Sequence, residues 1–596
     1  MPTRSGSQWN NVVAAGLVAI LCVVASVLSR SAARDDAEWK NPPGNDFPVA
    51  GGSYANQRYS TLDQINTGNI QKLGGAWMIH VEENGAVGNL EGTPVVVDGV
   101  MYVTTPRQHV LAVDAATGAV KWRYRPGPET RIGPNKGAAV GAGKVFVGRR
   151  DNVLVALDQQ TGQVVWETKM TEQPAAFTSA PPVYHNGRVY IGTAGGDSGA
   201  RGQVAAYDAQ TGREIWKFYT VPSPGEPFAD TWERDSYKMG GAAVWSHVAL
   251  DPDLRMVYVG TGNAAPDVWG ASRGGDNLFT VSIVALDLGT GAYKWHFQEV
   301  HHDIWDHDAG SAPILADIQY RGQLRKVVMH AGKTGFLYIL DRTNGKPLIG
   351  VNEKPVPQEP RMKTAKTQPY PIGDAFVPLC AEQLLEGFER GCLWAAFFDK
   401  PILIFPGSSG GSAWAPITYS PKTNLVYIPA NVIPTVFSAK EQAWDGQRLL
   451  GGVTDKVYKP KGLLRSGTLT AMDPTTNKIR WQKKTKYPMG GGSGLLSTAG
   501  GLLFHGESDG NLVAYDINNG EELWKFQTGA GANAPVVTYA VNGEQYVAVM
   551  AGGNTLLMSQ RGDRLWAFKL GGTVPPAATP REPPTVQPSD LHPDGR

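Results

Sequence analysis

Cysteine is scarce in this chain: three in 596 residues, at Cys22, Cys380 and Cys392. None belongs to a Cys-x-x-Cys-His string, so the sequence carries no c-type haem of its own. An excess of charge of either sign is also missing, with 55 Lys and Arg against 54 Asp and Glu. No basic run stands out, so nucleic acid and anionic membrane surfaces are not expected partners. Long apolar stretches are absent after the first 33 residues.

The one long apolar run is VVAAGLVAILCVVASVL, Val12–Leu28, followed by Arg30 and small residues. It suits a secretory signal over 1–33 with cleavage after Ser31-Ala32-Ala33, which predicts a periplasmic mature protein. It is also nearly long enough to stay as an uncleaved anchor, the one case that would give a membrane partner. In an oxidising compartment Cys380 and Cys392 are expected to pair.

What is abundant is glycine (72) and proline (42), which favours turns and short strands. One pattern recurs: an apolar strand ending in Asp, a Thr-Gly or Asn-Gly turn, and Trp eight residues after the Asp. It reads LAVDAATGAVKW (Asp114, Trp122), VALDQQTGQVVW (Asp158, Trp166) and AAYDAQTGREIW (Asp208, Trp216). It returns as VALDLGTGAYKW (Asp287, Trp295), TAMDPTTNKIRW (Asp473, Trp481) and VAYDINNGEELW (Asp516, Trp524). YILDRTNGKPLI (Asp341) is a copy without the Trp. Alternating apolar residues make half-buried strands, Asp and Gly close the turn, and the indole packs on the next unit. Spacings of 43 to 50 residues (114 to 158, 158 to 208, 473 to 516) match propeller blades. The expected fold is all-β, an eight-bladed β-propeller over 34–571; a duplicated β-sandwich would not need Trp at a constant phase. Glu353–Lys400 reads as an excursion containing a helix-like AEQLLEGF (Ala381–Phe388), and the Pro-rich tail 572–596 as disordered.

The chemistry lies where the repeat is broken. TAGGDSGARG (Thr193–Gly202), VGTGNAAPD (Val259–Asp267) and HHDIWDHDAG (His301–Gly310) each supply a small-residue loop with an oxygen-bearing side chain: Asp197, Asn263, and Asp306 with Asp308. Alternate residues point the same way on extended backbone. Acids so close repel unless a positive group lies between them. Carboxylates and an amide oxygen without nearby cysteine are hard ligands, which predicts Ca²⁺ or a similar multivalent ion separating the acids.

These stretches, with GGSYANQRYSTLDQIN (Gly51–Asn66), LEGTPVVVDGVMYVTT, HAGKTGFLYILDR and GGSGLLSTAGGLLFHG, resemble the quinoprotein alcohol dehydrogenases in order, from about Gly51 to Leu570. Those are periplasmic enzymes with eight-bladed propellers that use pyrroloquinoline quinone (PQQ). The resemblance implies Asp306 as catalytic base and Lys333 as the cation beside the reactive carbonyl. It implies Trp245 as the floor under the quinone, and Glu91, Lys136, Ser179, Gly195, Gly196, Lys333 and Trp414 as further cofactor contacts. Metal ligands would be Asp197, where the family usually has Glu, with Asn263 and Asp306. Asp308 resembles an aspartate of lanthanide-dependent members and also of glucose- and quinate-type members, so Ca²⁺ is expected and a lanthanide stays open. The histidines of His301–Gly310 are then structural, and electrons would pass to a separate cytochrome c.

Departures from the family bear on the substrate. ETRIGPNKGAAV (Glu129–Val140) has no cysteine pair and has Lys136 where Arg is common; Ala413 stands where Asn is usual; Pro488–Gly494 lacks a pocket Trp. Each change trims bulk, which predicts a larger, cyclic or secondary alcohol rather than methanol. The competing readings are an aldose- or polyol-oxidising quinoprotein and a cofactor-free scaffold propeller.

Overall fold

The computed structural model describes residues 39–83, 85–128, 130–439 and 457–590. The apolar segment with Cys22 lies outside them. Within them the protein is all-β, its only helices being short 3₁₀ turns. No helix among the described residues is long and apolar enough to cross a membrane.

The building unit is a four-stranded antiparallel meander. The first runs Val95–Val97, Val100–Thr104, Val110–Asp114 and Val120–Tyr124, in that spatial order. The inner strands are buried along nearly their whole length, whereas outer strands such as Val164–Lys169 are largely exposed, with alternate residues half-buried. Further meanders begin at Ala139, Val183, Ala249, Ile314, Thr418, Leu495 and Val537. The one beginning at Ile314 has three strands, matching the copy at Asp341 that lacks Trp. The last is completed by Leu73–His80, which pairs antiparallel with Arg564–Leu570. This is a propeller-type architecture.

The repeat explains itself at atomic level. Asp114 Oδ1 accepts the amides of Ala116 and Thr117 and the Thr117 hydroxyl at 3.2, 3.1 and 3.0 Å, which shapes the turn. Gly118 closes it with φ +80°, and the face of Trp77 lies where a Cβ would be, at 2.8 Å. Each indole N–H then donates to a carbonyl in the next unit: Trp122 to Gln159 at 3.0 Å, Trp166 to Ala209 at 3.2 Å, Trp216 to Leu288 at 3.3 Å. Trp295 reaches Arg342 at 3.2 Å, Trp481 Ile517 at 3.3 Å and Trp524 Leu73 at 3.1 Å. Trp77 does the same to Ala115 at 3.1 Å.

Two local expectations change. Ala381–Phe388 forms turns, not a helix. The disulfide Cys380–Cys392 is present and the two residues also form an antiparallel bridge. With both ends pinned together, a segment this short folds back on itself, and an isolated helix of its length is marginal anyway. The tail, expected to be disordered, is placed as far as Asp590. Val574 N donates to Gly75 O (2.8 Å), Ala577 N to Gln527 O (3.0 Å) and Gln587 N to Leu463 O (2.7 Å). Prolines restrict the unfolded tail, so fixing it costs less entropy, and the loops it crosses supply backbone partners.

Candidate functional site

Loops at one end of the sheets enclose a cavity of about 340 Å³. Of the residues singled out in the sequence, Glu91, Lys136, Ser179, Gly195, Gly196, Asp197, Trp245, Asp306, Asp308, Lys333 and Trp414 line it. They come from loops far apart in sequence. Asn263 does not line the cavity; it is buried beneath, its amide nitrogen donating to Asp267 at 2.7 Å and its backbone N–H to Asp308 Oδ1 at 2.8 Å.

At one end of the cavity Lys333 donates to Asp306 Oδ1 at 2.8 Å and to the Asp306 carbonyl at 2.7 Å. Its ammonium also lies 2.7 Å from Asp308 Oδ2. The Lys333 ammonium is therefore one positive group shared by the two acids. The backbone is not extended there: Asp306 has φ +61°. Among the described residues no three His, Cys, Asp or Glu side chains converge closely enough to share an ion. Burial pushes the Asp306 carboxyl well above the usual range; Lys333 opposes the shift, and Asp308 and Asp197 add to it. Burial pulls Lys333 down, and the two aspartates outweigh it, holding the ammonium above the ordinary lysine range.

The loop that presents these acids is built by Asp303, which the sequence reading passed over. Its carboxylate accepts the amides of Trp305 and His307, both at 3.0 Å. Burial raises it to about 6. Only an Asp two residues before a loop residue hinted at this role. The histidines are structural. His302 contacts the carbonyls of Gly275 (2.7 Å) and Met362 (2.9 Å). His307 packs on Trp305 and Trp394, driven down to about 3 by burial and Lys333.

Trp245 lines the cavity with glycines packed close to its ring. A Cβ on Gly310 would stand 2.6 Å from its Cζ2, and one on Gly262 would stand 2.8 Å from Asp308 Oδ1 and 3.4 Å from the indole nitrogen. Both glycines let the ring lie close to the backbone. The Lys136 ammonium sits 5.0 Å from the Trp245 ring centroid and 5.2 Å from that of Trp414. It is also 3.9 Å from Glu91. Glu91 Oε1 accepts from Asn89 (3.2 Å) and Asn554 (3.1 Å). Burial raises Glu91 and lowers Lys136, each opposed by the other's charge. Gly410, at φ +65°, makes room for Lys333, whose Cβ would be 2.3 Å from an added methyl. Arg150, whose guanidinium lies 4.1 Å from the Phe177 ring, and Ile433, Leu556 and Leu557 also line the cavity. Neither Arg150 nor Asn554 carried a sequence signal, because nothing local marks contacts across 463 residues, the separation of Glu91 and Asn554.

The site thus combines an indole face, an acid–cation cluster and a carboxylate held near a buried ammonium. Comparison with known proteins identifies the chain's relatives. Residues 47–456 and 463–547 match the family model "PQQ: Glucose/ethanol/alcohol dehydrogenase, beta-propeller domain". A quinohemoprotein alcohol dehydrogenase of Comamonas testosteroni is 39% identical over 85% of this chain and 72% of its own length. The 1-butanol dehydrogenase (cytochrome c) of Thauera butanivorans is 34% identical over 96% and 82%. A solved europium-containing methanol dehydrogenase superposes with TM-score 0.73 at 27% identity, covering 89% of this chain and 99% of its own.

Proposed function

The chain belongs to the family of PQQ-dependent alcohol dehydrogenases, and from that premise we propose that it oxidises a larger, cyclic or secondary alcohol to the carbonyl compound on a quinone stacked against Trp245. One observation carries the reading: a single cavity joins that indole floor, with glycines beneath it, to the Asp306–Lys333 pair.

The residues fit a planar tricarboxylate. Trp245 would face the rings, while Lys136, Ser179, Gly195, Gly196 and Trp414 would surround the edge, with Glu91 and the Lys136 charge near its carboxylates. Asp197, Asp306 and Asp308, which line the cavity without converging on one point, and the buried Asn263 are the oxygen donors that would serve a hard cation, Ca²⁺ or a lanthanide. Bound there, the quinone supplies a two-electron oxidant and the ion a Lewis acid. The rest is done by this chain. Lys333 opposes the burial-driven rise of the Asp306 carboxyl and orients it through one bond to Oδ1 and one to the Asp306 backbone carbonyl. Asp306 takes the proton of the substrate hydroxyl as the carbinol carbon is oxidised. Ile433, Leu556 and Leu557 add apolar lining to the same cavity.

The trimmed Ala413 and Pro488–Gly494 positions support a roomy pocket. We read the fold as a closed eight-bladed ring over 34–571, preceded by an export signal, working in the periplasm and passing electrons to a separate cytochrome c. The test is dye reduction by apo protein supplied with PQQ and either Ca²⁺ or a lanthanide. Substrates are methanol, a linear alcohol, a bulky secondary alcohol and an aldose. The reading expects the secondary alcohol to give the highest kcat/KM. A methanol or aldose preference overturns the substrate assignment, and no turnover under either metal overturns the enzyme reading.

A further inference from the structure

Arg465 is 1% exposed, and among the described residues its guanidinium meets no carboxylate. It donates instead to two neutral oxygens: Nη1 to Gln587 Oε1 at 2.6 Å and Nη2 to the Leu556 carbonyl at 2.9 Å. Gln587 is itself 1% exposed and is threaded into the loop before Arg465. Its N–H donates to Leu463 O at 2.7 Å, its carbonyl accepts Gly462 N at 2.8 Å, and Arg465 N donates to Thr585 O at 2.8 Å.

The path continues inward. Asn554 Oδ1 accepts the amides of Leu556 (2.9 Å) and Leu557 (3.3 Å), the two leucines of the cavity wall. The other end of the same side chain, Nδ2, donates to Glu91 Oε1 at 3.1 Å. A tail side chain, a buried cation, a wall loop and a carboxylate in the cavity are thus joined by consecutive hydrogen bonds. Burying an arginine without a counter-ion is unfavourable, and apolar residues of similar volume often serve packing better. What an arginine adds is two directed donors in a fixed plane, which can register two separate segments against each other.

We infer that Arg465 and Gln587 are positioning residues for the substrate pocket: they fix the Leu556–Leu557 wall and, through Asn554, the orientation of Glu91. This rests on the reading of the cavity as the alcohol and quinone site. The segment Thr585–Asp590 is then a working part of the pocket, and its attachment sets which alcohols fit.

The experiment uses the full chain with Gln587→Ala, Arg465→Met and Arg465→Lys. With PQQ and Ca²⁺ bound, kcat and KM are measured for a short linear and a bulky secondary alcohol. Quinone affinity is read on the apo protein by tryptophan fluorescence, and amide hydrogen exchange is followed at Leu556 and Leu557. Gln587→Ala and Arg465→Met are expected to raise KM about tenfold with kcat within about threefold. They should also compress the kcat/KM ratio between the two alcohols, weaken quinone binding and speed exchange at both leucines. Arg465→Lys should recover part of each change. If Arg465→Met does not fold, Gln587→Ala decides. A folded Gln587→Ala protein with unchanged KM, alcohol ratio and leucine exchange overturns the inference. Wild-type protein that turns over no alcohol defeats the functional reading alone, since the exchange measurement still judges the brace.

Discussion

The Lys333 ammonium lies 2.7 Å from Asp308 Oδ2 while donating to Asp306 at 2.8 Å, so one buried cation holds two carboxylates in place. Their closeness in sequence raised the question of what offsets their repulsion, and a side chain from the neighbouring sheet supplies one positive charge. Breaking a buried pair by removing one partner strands the other charge, at about 3–5 kcal/mol.

Asp306→Asn is therefore expected to lower kcat by roughly 10²–10⁴, the span of general-base contributions. It should affect quinone binding far less than turnover, because Trp245 and Lys136 are untouched. Stopped-flow reduction alongside a fluorescence titration checks both. Full turnover in this variant would remove Asp306 from its role.

Gly310→Ala should weaken quinone affinity at least about tenfold, since its methyl would push into the Trp245 ring at 2.6 Å. Titrating tryptophan fluorescence with PQQ measures this, and circular dichroism verifies that the sheets persist. An unchanged affinity would mean that the indole is not the floor.

Trp524→Phe keeps an aromatic ring but removes the N–H that donates to Leu73. The expected loss is about 0.5–1.5 kcal/mol in urea unfolding, the net worth of one such bond plus any repacking. A neutral result would reduce the tryptophans to packing alone.

Stability should also depend on pH through Glu507. Burial first, then Asp509, raises its carboxyl to about 7, against a hydrogen bond from Tyr515 OH at 2.8 Å that opposes the shift. The folded state then binds more protons than the unfolded state between about pH 4.5 and 7, so this group's contribution falls as pH rises through that window. Glu507→Gln is expected to gain on the order of 1–3 kcal/mol relative to wild type at pH 8, and little at pH 4. Urea midpoints at the two pH values test it; an equal effect at both would contradict it.

The repeats were legible because Asp114, Gly118 and Trp122 lie within one hairpin, where local chemistry dictates the turn. Trp77 was not, although it docks like the others, because its strand belongs to a sheet whose remaining strands lie at Val537–Leu570. No Asp-bearing strand precedes it. The cavity residues were found by resemblance, but their pairing was not: that Lys333 sits between Asp306 and Asp308 depends on how adjacent loops meet. Asn263 shows the same limit: residue type singled it out, while its burial and the bond from its amide nitrogen to Asp267 depend on the fold. The ordered tail was missed for a related reason. Proline content speaks to the free chain, whereas Arg465 and Gln587 meet across 122 positions.

The pairing of Leu73–His80 with Arg564–Leu570 has a consequence for how the molecule is made. During synthesis the early strand emerges long before its mate, and until then it offers an unsatisfied ladder to any passing chain. The last sheet can zip only when nearly everything else has been translated, a slow, non-local step. A chain cut anywhere before Arg564 should therefore clump rather than settle into a smaller version of the same shape.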